Sequence, residues 1–466
     1  MTVGITRVAG LALALAVTFA GSATAKTFEP TRKDDPVPNG CKPRNCSFRE
    51  ALLAANQREG HDVVVLERGR YEMELPRVNG FGEDGPWLGF DVTIRGQGAR
   101  RTTLDANQID TAMQLGNFLE ANTLRDLRVT GGRAAIPFGI GGVLAVGGKV
   151  TLNRVVLTRN ATTDGSGGGA HIAARVEFRM IDSRVVRNEA FNGGGVFITA
   201  GSAAETSGAI TDSTIENNEA VFGGGVYSNV PRLTISGTTI AQNAADEGGG
   251  LDLAGVHNFN PTTKIGSSTI SGNGARKGGG FLADGNQPGP TVMEPIVTVV
   301  NSTVAANTAS AEGGGIMADN AATVNLDNAT VAFNMADNDN TGGGVGGGVH
   351  QHSAAVLGVG DSIVAANAVG TSGTGPQCEG ALSAADGFLY QSQPSGTCSF
   401  GGAFEIVSDA GLAPLADNGG PTPTVRLLPG SGAIGLAHSC PKRDQRGRLR
   451  PADCDSGAFE NKPRRR

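Results

Sequence analysis

Seven short segments of the chain repeat one alternation of apolar and polar positions. Each follows a run of three glycines. The residue directly after the run is Ala170, Val196, Val226, Leu251, Phe281, Ile316 or Val349. Two residues on, the set is Ile172, Ile198, Ser228, Leu253, Ala283, Ala318 and Gln351, with mixed, largely polar positions between. Period-two alternation predicts a strand with one buried face. The triplets begin at Gly167, Gly193, Gly223, Gly248, Gly278, Gly313 and Gly342, with another at Gly346, in steps of 26, 30, 25, 30, 35 and 29 residues. Triple glycine before a strand permits φ > 0 and lets stacked backbones approach closely at a corner.

An asparagine precedes each triplet: Asn160, Asn188, Asn218, Asn243, Asn273, Asn307 and Asn334, with Asn367 extending the series. Each follows a β-rich segment such as Asp182-Ser183-Arg184-Val185-Val186-Arg187. Asparagine tolerates a left-handed turn, and its amide can bond an identical amide one repeat away. A repeat near 28 residues with short strands and stacked corners predicts an all-β chain, a parallel β-helix of about eight coils. At ~4.8 Å per coil these form a rod of roughly 40 Å before the caps. The leucine-rich spacing L-x-x-L-x-L is absent, and one Trp and three Tyr are too few for aromatic-bearing propeller blades. The calcium-binding GG-x-G-x-D repeat is excluded, because Gly342 to Val349 carries no Asp.

A stacked column needs its open end covered. Ser47-Phe48-Arg49-Glu50 reads as a capping box opening a helix from Phe48 to about Gln57. First strands are expected at Val63–Leu66 and Tyr71–Leu75. Ahead of this, Arg7, an apolar run from Val8 to Ala20 and Ala23-Thr24-Ala25 read as a signal peptide cleaved near Ala25. The expected organisation is a signal peptide over 1–25, a linker over 26–45, the β-helix with its N-terminal cap over 46–370, and a cap region over 371–466. No second long apolar segment exists, so no membrane span is expected, and the chain reads as secreted or surface-located, as a monomer.

Composition sharpens this reading at three points. Glycine supplies 72 of 466 residues without a three-residue period, which excludes collagen. A net charge of -6 offers no footprint for nucleic acid. The six cysteines form three close sets, Cys41 with Cys46, Cys378 with Cys398, and Cys440 with Cys454. Fifteen pairings are formally open; neighbour pairing is preferred, and disulfides are favoured over zinc because no C-x-x-C occurs.

Two stretches resemble known motifs. Cys46-Ser47-Phe48-Arg49-Glu50-Ala51, with Ala55-Asn56 and Gly60, resembles the CSLREA motif of exported bacterial β-helix proteins, Phe48 replacing Leu. Leu412 to Thr422, Cys440-Pro441, Asp444 to Gly447, Arg450-Pro451 and Cys454 to Glu460 resemble the choice-of-anchor Q domain. The resemblance implies a right-handed β-helix of the pectin-lyase type, secreted or on a bacterial surface, and carries no catalytic residues across. Six residues follow Glu460, so secretion or non-covalent retention is expected in place of covalent anchoring.

The polar positions of the triplet strands predict two outward columns. The first is His171, Phe197, Tyr227, Asp252, Leu282, Met317 and His350; the second is Ala173, Thr199, Asn229, Ala254, Asp284, Asp319 and His352. Aromatics stack on sugar rings, and carboxylates bond hydroxyls or hold a cation. Phe197, Tyr227, Asp252, Asp284, Asp319, His350 and His352 are therefore the candidate glycan contacts. Asp284 and Asp319 one coil apart, about 5 Å, approach the separation of retaining glycosidases and are the candidate catalytic pair. As turn dipeptides, Asp284-Gly285 and Asp319-Asn320 equally suit a purely structural role. His350 and His352 share a strand face and offer two metal ligands without a third. No cofactor is expected, calcium being the open alternative. Asp337 to Asn340 opens like a calcium loop but has Gly348 where that loop needs Glu, and is expected to be a solvated insertion. Lys442 to Arg448 is a basic cluster suited to anionic wall polymers or to salt-bridged turns. The leading functional reading is a non-enzymatic glycan- or wall-binding protein; the alternative is a polysaccharide lyase or glycoside hydrolase, the lyase disfavoured because the triplet strands carry no basic residue.

Overall fold

The computed structural model describes residues 25–461 apart from 59, 76–86, 89–90, 117–120, 135–138, 202–204, 258 and 286–291. The expected signal peptide lies outside these, save Ala25. Each coil carries three strands. In one coil, Val196–Ile198 follows the glycines, Ser207–Thr211 follows a loop, and Thr214–Glu216 precedes Asn218. We call the corresponding sheets first, second and third. Every strand pairs in parallel with its counterpart one coil on: Val196 with Val226, Ser207 with Arg232, Thr214 with Thr239. This is the expected right-handed parallel β-helix. The inward residues Val196, Ile198, Ile210 and Ile215 are fully buried, each worth about 1.5–3 kcal/mol of apolar burial.

The rod is longer than the triplets indicate. The third sheet has 13 strands, a length near 60 Å at ~4.8 Å per strand. Coils before Gly167 close without a full triplet, Gly141-Gly142 taking its place through the Gly142 N–H bond to Gly168 O. The triplet at Gly342 is also out of register. Gly346 to Gly348 occupy the corner, with Gly346 N–H bonded to Thr374 O, and Gly342 to Gly344 belong to an insertion.

The triplet's three glycines have different tasks. The first has φ near +60 to +76°, as at Gly193 and Gly167. A Cβ on the second or third would strike the next coil: on Gly194 it would lie 2.7 Å from Gly224 O, on Gly195 2.4 Å from Gly225 O. The asparagines run as one ladder. Asn218 N–H and Nδ2 donate to Asn243 Oδ1 at 3.0 and 2.9 Å, and Nδ2 also donates to Val185 O. The series ends where Asn367 donates to Gln377 Oε1. A second ladder joins the second and third sheets: Ser183 N–H donates to Ser213 Oγ, Ser213 N–H to Thr238 Oγ1, and Thr238 N–H to Ser268 Oγ. Both ladders satisfy backbone groups that corners would otherwise bury unpaired.

At the N-terminal end the helix Phe48–Asn56 opens on the expected capping box, Ser47 Oγ accepting from Glu50 N–H and Glu50 Oε2 from Ser47 N–H. Thr27–Phe28 adds an edge strand to the second sheet, and the buried Arg49 is paired with Asp35. At the other end Phe388 and Tyr390 are buried in the column and Phe400 packs on both, with the exposed Phe404 against Phe400, the rings 4.5 to 6.1 Å apart. The disulfides are Cys41–Cys46, Cys378–Cys398 and Cys440–Cys454.

The C-terminal residues do more than close an end. They fold back along the outward face of the third sheet. Gln445 Nε2 donates to Thr269 Oγ1, Thr303 Oγ1 donates to Gln445 Oε1, and Ala458 N–H donates to Thr330 Oγ1. Phe459, Leu427 and Ala433 build a separate core against Ile363 and Leu389. Within the basic cluster, Arg446 is buried against Asp444 with its guanidinium 3.5 Å from the Phe459 ring centre. Lys442, Arg443 and Arg448 of the cluster are exposed. In the insertion Asn338, Asp339 and Asn340 are exposed, as expected, while Asp337 is buried and accepts from Gly342 N–H.

Candidate functional site

Register places all seven first-column residues in one line on the outward side of the first sheet: His171, Phe197, Tyr227, Asp252, Leu282, Met317, His350. Asp284 and Asp319 are paired in adjacent coils two positions further along their strands. The face was expected to be open, and much of it is not. Asp252, Leu282, Met317 and His350 are all under 8 % exposed. The first glycine of each triplet contributes to this in every coil. Its φ > 0 bends the corner back against the residue four positions on, so that a Cβ on Gly248 would lie 2.7 Å from Asp252 Cβ and one on Gly313 2.6 Å from Met317 Cβ. The column lies in a crease beside that corner.

Three rings form the upper part of the crease. His171 meets Phe197 edge-on at 4.8 Å, and Phe197 stacks on Tyr227 at 5.1 Å with planes 22° apart. All three are half-buried. The lower part buries Leu282 and Met317 and carries polar groups beside them. His352 Nδ1 lies 2.8 Å from Asp319 Oδ1, and Asn320 Nδ2 donates to Asp284 Oδ1 at 2.8 Å. His350 stands 3.4 Å from Glu312, which also pairs with Lys277 at 3.8 Å. The charged line Glu247, Lys277, Glu312 escaped the sequence reading, although each residue immediately precedes a triplet. Lys277 also places a basic residue beside a face expected to have none. Among the described residues no three His, Cys, Asp or Glu side chains converge to hold a metal ion.

Burial sets the protonation pattern. It raises the Asp252 carboxyl well above its ordinary range, the charges of Asp284 and Glu247 adding to it. Burial also raises Tyr227, with help from Asp252 and Asp284, and pushes His171 down to about 4. Contact with His350 foremost, together with nearby positive charge, holds Glu312 below the usual carboxylate range. The crease therefore sets a carboxyl raised above its ordinary range beside Asp284 and a ring stack.

A raised folded-state pKa contributes stability that is present below the unfolded value, about 3.9, and is lost as pH rises through the folded value. Denaturant midpoints recorded from pH 4 to 8 should fall for the parent protein relative to Asp252→Asn. Parallel curves would show that Asp252 ionises as it does in the unfolded chain.

No protein-family model matches this chain, and no curated protein does. Among solved structures it is similar to the pectate lyase Pel9A, at 13 % identity and TM-score 0.46, over 95 % of this chain and 98 % of that one. It is also similar to the A-module of the mannuronan C-5 epimerase AlgE4 of Azotobacter vinelandii, at 15 % identity and TM-score 0.43, over 81 % and 95 %. The A-module of AlgE6 from the same organism gives 16 % and 0.43, over 78 % and 91 %.

Proposed function

We propose that this protein works outside the cell and binds a polysaccharide chain lengthwise in the crease of the first sheet. The observation that carries the reading is the single column in which the His171–Phe197–Tyr227 rings run on into Asp252, with Asp284 and Asp319 alongside. A strand spacing of ~4.8 Å is close to the length of one sugar ring, so successive coils meet successive sugars. The rings offer apolar faces; the carboxylates and His352 accept and donate hydrogen bonds to hydroxyls. Three disulfides suit an oxidising, extracellular compartment, and among the described residues no helix is long and apolar enough to cross a membrane.

The test is retention of the mature protein on a panel of insoluble polysaccharides, with and without calcium. Phe197→Ala with Tyr227→Ala should weaken retention at least tenfold, a loss typical of aromatic anchors, while Tyr227→Phe keeps it. Equal retention by the double variant, with its denaturant midpoint unchanged, would remove the ring stack from binding.

One extension of this reading is hydrolysis of the bound chain by Asp284 and Asp319, paired in adjacent coils; Asp252, 3 % exposed, lies too deep to reach a glycosidic oxygen. One carboxyl gives its proton to the departing glycosidic oxygen, while the other takes a proton from the water that attacks the anomeric carbon. Reducing ends should then accumulate, and Asp284→Asn or Asp319→Asn should each slow their release by 10²-fold or more. Retention with no new reducing ends leaves the protein a binder only.

A further inference from the structure

The outward face of the third sheet changes chemistry partway along the rod. From Thr214 onward its column reads Thr239, Thr269, Thr303 and Thr330, and the last three receive the C-terminal residues. Toward the N-terminus the same column reads Arg184, Val156, Arg128, Thr103 and Arg70. Arginine stands on every second coil. Two coils rise about 10 Å, the length of a disaccharide unit.

Two more arginines flank this column in consecutive coils. Arg159 and Arg187 occupy the turn after the strand with φ of 55 and 57°, joined by the Arg159 N–H bond to Arg187 O at 3.0 Å. The next coil has Asn217 there at φ 54°. Asparagine is the residue suited to that backbone, and arginine is not. Together these side chains line a groove of about 560 Å³.

The charges are unequally satisfied. Asp105 pairs with Arg70, and Glu216 with Arg184. Arg159 and Arg187 make no ion pair with any described residue, and Arg128 Nε is buried without a hydrogen-bond partner. A desolvated guanidinium nitrogen without an acceptor is costly, and an anionic group in the groove would supply one.

We propose that this groove binds a linear anionic polysaccharide carrying about one carboxylate or sulfate per disaccharide. Duplex nucleic acid, with one charge per about 1.7 Å, is far denser than the arginine spacing. No aromatic side chain lines the groove to stack bases. The site lies on a different sheet from the crease and stands whether or not the crease binds glycan.

Calorimetric titration of the whole mature chain with a hyaluronate dodecasaccharide, one carboxylate per disaccharide, tests this. Binding is expected, weakening with salt, and absent for a neutral dextran oligosaccharide. Arg128→Gln and Arg187→Asn should each lower affinity about tenfold. Arg187→Asn suits the local backbone, so a folding defect would not explain its loss. Phe197→Ala with Tyr227→Ala should leave this affinity unchanged. A κ-carrageenan oligosaccharide of the same length, with one sulfate and no carboxylate per disaccharide, should bind as well. Absence of hyaluronate binding, full affinity in both arginine variants, dependence on Phe197 and Tyr227 instead, or tighter binding of a single-stranded DNA 20-mer would each overturn it.

Discussion

Replacing Asn243 with alanine is expected to destabilise the rod by about 4 kcal/mol. The side chain is buried and makes four hydrogen bonds. It accepts from Asn218 N–H at 3.0 Å and from Asn218 Nδ2 at 2.9 Å, and donates to Ile215 O and Asn273 Oδ1 at 3.0 Å each. Alanine leaves two donors of Asn218 without an acceptor in a place water does not reach. Each orphaned buried group costs about 1–3 kcal/mol. Ile215 O also loses a donor, while Asn273 Oδ1 keeps the bond from Asn243 N–H. Asn229→Ala is the control: its side chain is half-buried and makes one contact, to Ala200 N–H at 3.3 Å, so less than about 1 kcal/mol is expected. Because repeats lose structure locally, hydrogen exchange across residues 207–274 should be followed beside the denaturant midpoint. If the two variants lose equal stability, the ladder is a consequence of stacking and not a support for it.

Gly249→Ala should cost about 3 kcal/mol, at the upper end of overpacking losses. The added methyl would sit 2.5 Å from Gly274 O and 2.6 Å from Gly279 O. Both are backbone atoms of the next coil and cannot swing aside, so relief requires separating two coils that ladder bonds hold at ~4.8 Å. Gly266→Ala is the matching control, since a Cβ there meets nothing within 4 Å and its φ is not in the left-handed region. It should be neutral or slightly stabilising, by a few tenths of a kcal/mol. Thermal midpoints that move together would show that the coils absorb the added methyl without a clash.

Much of this protein was legible in its residue order because a coil is a local object. Strand, corner and ladder positions recur within about 30 residues, so Val196, Asn218 and Gly223 reveal the register of Val226, Asn243 and Gly248. The capping box at Ser47 and Glu50 is equally local. The same logic placed Phe197, Tyr227 and Asp252 in one column. It did not reveal that the column is sunk in a crease, since the bend that hides Asp252 depends on φ at Gly248. The insertion that shifts the working triplet from Gly342 to Gly346 misled the count for a related reason. Spacing alone does not say which of two triplets meets its neighbour.

The sequence by itself determined the repeating unit, because period-two burial and glycine corners are written into every coil. Tertiary structure decided what each outer face presents. Gln445 and Thr269 are 176 residues apart, and Arg70, Arg128 and Arg184 belong to three different coils. Nothing near any of them in the chain marks the partner. Their meeting depends on how many residues each intervening coil spends before returning to the same face, and only the folded rod fixes that number.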